Sequence, residues 1–259
     1  MTFSTLYQKD SYTIPESYII NQIYEYDISK ANINILYEKG IINDNTYNIL
    51  YNSDKKQREI TVGIMQKTVS IARALSEGFK EFRRLLFESN MIQDNEVVSI
   101  KKDAVFVTRP LTNTVFGRVQ FKLKNVYNLM MKVDRLEIYY GIDSVTREYI
   151  LDIKGIRDDK LEKYNNYFFT IFINVFSLLI NHKYVQALGL LNQYIDMYTS
   201  LQMDITAYRE FNTIYMYKMK NSIYYTECVL PQYIDCIDIS YNLNILLYLK
   251  MLIINMYYG

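Results

Sequence analysis

The stretch Val97–Val107, VVSIKKDAVFV, decides how this chain is read. Apolar residues, a polar knot at Lys101, Lys102 and Asp103, and a second apolar run predict a short β-hairpin with the charges at its tip. A carboxylate on a rigid hairpin tip can hold a metal ion, or it can be one charge on a solvated turn. Which it is depends on what the rest of the chain brings beside it.

Working outward, the residues before the hairpin predict a long helix over Arg58–Asn90 with a break near Gly63. In it Ile71, Leu75, Phe79, Phe82 and Leu86 recur at three- and four-residue intervals, the spacing of a buried helical face. Lys80, Arg83 and Arg84 read as a solvated face. Upstream, SYIINQIYEYDIS predicts a strand from Tyr18 to about Asp27, then a helix ending at Gly40 and a short one over Asn43–Ser53. Downstream, Gly117–Ile142 and Arg147–Ile156 are rich in β-formers, and beyond Asp158 the chain reads as mostly helical. Strands and helices segregated in this way predict an α+β fold, with a boundary near residue 160 between residues 1–160 and 161–259.

The 259 residues carry a net charge of +1, so nucleic-acid binding requires a local patch. The 27 tyrosines, with many Ile, Asn and Lys, follow the bias of AT-rich coding DNA rather than a binding surface. Cys228 and Cys236 fit no zinc spacing and read as reduced, buried thiols. The single histidine, His182, reads as part of a helix-to-helix turn, which removes His-based triads. There is no Walker A loop, dinucleotide fingerprint or His-Glu metalloprotease motif. The N-terminus lacks a signal-peptide core. The apolar run Leu243–Met256 is short for a membrane span and predicts a buried helix or a surface for a partner subunit, with no membrane partner.

The order of elements resembles the palm and thumb of family B DNA polymerases over about residues 18–215. YDISKANINILYEKGII looks like their motif A, an Asp at a strand end, a Ser two residues on, then a helix. The hairpin is similar to their Asp-Thr-Asp-Ser hairpin, with Lys101, Lys102 and Ala104 replacing the first Asp, the Thr and the Ser while Asp103 keeps the second Asp. LEIYYG and the DIKGI at Asp152–Ile156 look like their palm-to-thumb segments. The resemblance implies a palm-like antiparallel sheet with reduced fingers over 1–160 and a helical thumb-like region over 161–259. It also implies nucleotidyl transfer with Mg²⁺ or Mn²⁺ at Asp27 and Asp103, which a palm places at neighbouring strand ends. The family's fingers motif is replaced by KKQREITVGIMQK, where Arg58 and Lys67 are the candidates for nucleotide phosphates.

Two-metal phosphoryl transfer needs carboxylates that hold ions roughly 3.5–4 Å apart, and Mg²⁺ prefers one or two carboxylates plus waters and substrate oxygens. Lys101 works against this, because an ammonium beside two carboxylates can stand in for the cation. Two readings follow. One is a minimal metal-dependent polymerase-like enzyme. The other is a catalytically inactive palm-like subunit that binds nucleic acid or protein in viral replication, transcription or virion assembly. In either, Lys122, Lys124, Lys132 and Lys154 are the expected nucleic-acid contacts. The compact form and the AT bias suit a phage or other virus acting in the host cytoplasm.

Overall fold

A computed structural model describes residues 3–134, 136–155, 167–203, 205–208, 216–219, 222–225 and 240–258. The fold is α+β, an antiparallel sheet with helices and a helical C-terminal part. Contacts divide the chain into two compact units, Met1–Pro15 with Gln22–Val126 and Glu16–Asn21 with Tyr127–Gly259. The boundary expected near residue 160 lies outside the described residues, as do Cys228 and Cys236.

In the first unit, β1 (Ser11–Thr13), β3 (Val97–Lys101), β4 (Ala104–Val107) and β2 (Tyr18–Ile28) lie side by side in the order β1-β3-β4-β2. The pairings β1–β3, β3–β4 and β4–β2 are antiparallel. All four residues of β4 are buried, as a strand flanked on both sides and covered on both faces requires. β6 (Val119–Val133) follows β2, with the Ser29 N–H donating to the Gln120 carbonyl at 3.3 Å, and β5 (Val115–Phe116) pairs with its start. β2 and β6 each contribute residues to both units.

Four helices complete this unit: α1 (Ala31–Glu38), α2 (Asp44–Asn52), α3 (Lys55–Met65) and α4 (Val69–Ser89). Asn43 and Asp54 cap α2 and α3 by accepting from the Thr46 and Gln57 N–H groups, the usual use of such residues. The break expected near Gly63 falls at Gln66–Thr68 instead, since Gly63 continues α3. The face of α4 carries Leu75, Phe79, Phe82 and Leu86 into the core with Val97, Ile100 and Val105 of the hairpin.

Arg83 overturns the reading of a solvated basic face. It is only 2% exposed, and its guanidinium donates to the carbonyls of Lys9 and Lys102. The sequence places it four residues after Phe79 and four before Phe87, inside the apolar stripe. Burial pushes its pKa down to about 10. Lys80 and Arg84 do face solvent, paired with Asp10 at 3.2 Å and Glu88 at 2.8 Å.

In the second unit β6, β7 (Leu136–Ile142) and β8 (Tyr149–Lys154) form an antiparallel meander. It packs with α5 (Tyr167–Leu179), α6 (Tyr184–Thr199) and α7 (Ser240–Tyr258). The phenylalanines of α5 and Ile245, Leu246, Leu249, Leu252 and Ile253 of α7 fill this core. The apolar C-terminal run is therefore a packed helix. Among the described residues no helix is long and apolar enough to cross a membrane. The region read as mostly helical also holds an antiparallel strand pair, β9 (Met216–Met219) and β10 (Ser222–Tyr225). Tyr, Met and Ile suit strands and helices alike, so the sequence left that pair unmarked. His182 sits in the α5–α6 turn at φ 56°, within 2.9 Å of the Tyr184 hydroxyl.

Candidate functional site

Asp27 is the penultimate residue of β2 and lies opposite Ala104, the first residue of β4. Asp103 is the residue before it, and its carbonyl accepts the Ile28 N–H at 3.1 Å. The two acids thus stand at adjoining strand ends of one sheet. The tip that presents Asp103 is a two-residue turn, Lys102–Asp103, with Lys102 at φ 22°. Arg83 holds that turn from beneath through the Lys102 carbonyl at 3.2 Å.

Asp27 and Asp103 line a cleft of about 270 Å³ together with Lys30, Lys55, Glu59 and Arg58. The β2–α1 turn forms one wall. There Lys30 adopts φ 50°, an uncommon conformation for a residue with a Cβ. Its ammonium donates to the Tyr51 carbonyl at 2.8 Å and lies 3.3 Å above the Tyr51 ring. Helix α3 brings Lys55, 3.8 Å from Glu59, and Arg58, whose guanidinium donates to the Ser53 carbonyl at 3.0 Å.

The Asp27 carboxyl is pushed up to about 6, by burial first and by the neighbouring Asp103 second. Lys124 pulls it the other way. One oxygen of Asp27, Oδ1, is buried with no hydrogen-bond partner among the described residues. Two residues back on the same face of β2, Glu25 is 1% exposed, paired with Lys124 at 3.2 Å and accepting from the Asn125 amide at 2.8 Å.

The expected site residues divide accordingly. Asp27, Asp103 and Arg58 share the cleft. Lys67 is exposed in the α3–α4 link and is not among the lining residues. The Lys101 ammonium donates to the Thr13 hydroxyl at 3.2 Å, on the neighbouring edge strand. Lys124 is a cation acting on Asp27. Lys122 lines a second hollow in the same unit. Lys132 and Lys154 belong to the second unit, where Lys154 pairs with Asp152 at 2.7 Å. Lys30, Lys55 and Arg83 were not nominated from sequence. Lys30 carried a signal, standing three residues after Asp27, and Arg83 carried one in its place on the apolar stripe.

Compared with protein-family models, residues 1–255 match the family described as Bacteriophage PBS1 gene 130 protein. The chain belongs to that phage protein family. No curated protein matches it. The family description gives a phage source and no activity, so any chemistry must be argued from the site itself.

Proposed function

We propose that this phage protein binds nucleotide or nucleic-acid phosphates through a divalent cation held by Asp27 and Asp103, in a polymerase-like palm. One observation carries this reading: two carboxylates at adjoining strand ends share a cleft with Lys30, Lys55 and Arg58.

The donor set fits Mg²⁺ or Mn²⁺. Both residues offer hard oxygens, and Mg²⁺ takes one or two carboxylates while keeping waters and substrate oxygens in its remaining positions. Burial first and repulsion from Asp103 second raise the Asp27 pKa, and a cation between the two acids relieves that repulsion. When bound, the ion would neutralise phosphate charge and orient a phosphoryl group. The chain's own residues do the rest. Lys30, Lys55 and Arg58 hold phosphate oxygens, and Arg83 keeps the Asp103 turn in place.

A second reading is an inactive palm-like subunit of phage replication, transcription or virion assembly, working in the host cytoplasm. Lys124 favours it, as a fixed cation beside Asp27 and Glu25. A partner subunit would meet α7 at Leu247, Tyr248 and Met251, which are exposed.

Calorimetry with Mn²⁺ tests the site and primer extension tests catalysis. Micromolar Mn²⁺ binding that Asp103→Asn abolishes supports the first reading. Binding that survives Asp103→Asn overturns it. Mn²⁺ binding without extension of any primed template leaves the inactive subunit.

A further inference from the structure

On the other side of the β2–α1 turn lies a second hollow of about 440 Å³. Arg118, Lys122, Gln120, Asn48, Asn52 and Tyr51 are among its lining residues, and none of the lining residues is a carboxylate. Two cations in a lining without carboxylates favour an anion, and the Glu38 carboxylate beside them accepts the Arg118 N–H. Three carboxamides add donors and acceptors side by side, the chemistry that reads base edges. Tyr51, 43% exposed, lines the hollow with the Lys30 ammonium 3.3 Å over its ring and the Tyr47 ring 5.5 Å away.

The hollow is held ready by its supports. Gly117, at φ 60°, forms the β5–β6 tip, and a Cβ there would meet the Glu38 carboxylate at 2.6 Å. The next N–H, that of Arg118, donates to Glu38 at 2.7 Å. The Arg118 guanidinium lies 4.7 Å from the centres of both the Tyr37 and Tyr47 rings, which fixes its plane. Gln120 and Lys122 are two apart on the exposed face of β6, and Asn48 and Asn52 are one turn apart on α2. Ser29 lines this hollow and Lys30 lines the Asp27 cleft, so the two flank a single turn.

We propose that this hollow is a subsite for single-stranded nucleic acid. Arg118 and Lys122 take phosphates, and Asn48, Asn52 and Gln120 take a base edge. A duplex pairs the Watson–Crick edges of its bases and does not offer them to a concave site. The assignment rests on the nucleic-acid reading above and names a strand contact independent of the metal.

The test is fluorescence anisotropy of a labelled DNA 12-mer with the full-length protein in EDTA, from about 50 mM salt upward. EDTA separates this contact from the Asp27–Asp103 pair, whose Mn²⁺ binding is read by calorimetry. Binding in EDTA without Mn²⁺ binding overturns the metal site and leaves this one standing. We expect Arg118→Ala/Lys122→Ala to weaken binding roughly tenfold and to lower the log–log salt slope by about 1.4, two contacts at 0.7 each. Asn48→Ala/Asn52→Ala, on exposed positions that folding does not need, should weaken binding and flatten preferences among homopolymers. Circular dichroism confirms that the variants fold. Three outcomes overturn the proposal: no wild-type binding in EDTA, folded variants of both pairs that bind like wild type, or a mononucleotide that binds as tightly as the 12-mer.

Discussion

The buried guanidinium of Arg83 donates to the Lys102 carbonyl at 3.2 Å, 19 residues away. Through that bond and its partner at Lys9, helix α4 sets the height of the turn that presents Asp103. Arg83→Met would keep much of the volume but strand two carbonyls. We expect a loss of about 2–4 kcal/mol in urea unfolding, a smaller loss for Arg83→Lys, and weaker Mn²⁺ binding by both. An unchanged urea midpoint for Arg83→Met would show that the turn is held by other contacts.

Asp27 predicts a pH dependence. Its carboxyl stands at about 6 in the folded protein, above the value of about 3.9 for an unfolded chain. The folded state therefore binds this proton more tightly. The Asp27 contribution to stability falls as pH rises from about 4 to about 6 and is level above that. Asp27→Asn removes the buried charge and should stabilise the protein at pH 7.5 by about 1–2 kcal/mol, allowing for solvent screening of a half-buried group. At pH 4 the gain should vanish. Denaturant melts at both pH values decide it, and an equal effect at both refutes the assignment.

The two lysines near the acids should behave differently. Lys101 bonds Thr13, so Lys101→Ala should leave Mn²⁺ affinity within about twofold, a change of under 0.5 kcal/mol. Lys124 acts directly on Asp27, so Lys124→Gln should tighten Mn²⁺ binding. The same change leaves buried Glu25 without its ammonium, so it should also lower the melting temperature. Tighter Mn²⁺ binding by Lys101→Ala than by Lys124→Gln would reverse these roles.

Two helical glycines make a paired test. A Cβ on Gly78 would collide with Ile35 Cγ2, where α4 meets α1, whereas a Cβ on Gly63 meets nothing within 4 Å. Gly78→Ala should cost about 1–3 kcal/mol by overpacking. Gly63→Ala should gain up to about 1 kcal/mol from helix propensity alone. Equal melting temperatures for the two variants would contradict the close α1–α4 approach.

Helix α7 buries Leu246, Leu249, Leu252 and Ile253 in the core of the second unit. Truncation after Asn242 strips these side chains from α5 and α6 and exposes the apolar surface they covered. We expect an aggregating or partly unfolded product, seen as dye binding to exposed apolar surface and lost near-ultraviolet dichroism. A monodisperse product with wild-type spectra would show that α7 is dispensable.

The sequence by itself determined what depends on local pattern. Alternation and apolar runs marked β2, the β3–β4 hairpin and β6, and three- and four-residue spacing marked α4 and its buried face. Gly40 marked the end of α1 and Asn43 the start of α2, while the Asp54 cap of α3 came only from the structure. The resemblance read in YDIS and KKDAVFV pointed to Asp27 and Asp103, while the family match is to a phage protein family. What only the tertiary structure decided is how residues distant in the chain meet. Burial turned Arg83 from a surface charge into the support of a turn, because a guanidinium can enter a core when carbonyls receive its N–H groups. The pairing of β2 with β4 brought two acids together, and burial first and Asp103 second raised the pKa of Asp27. The registers also set Lys101 and Asp27 on either side of Ala104 in one cross-strand row, and so on one face of the sheet. A one-residue shift would have turned one of them to the opposite face.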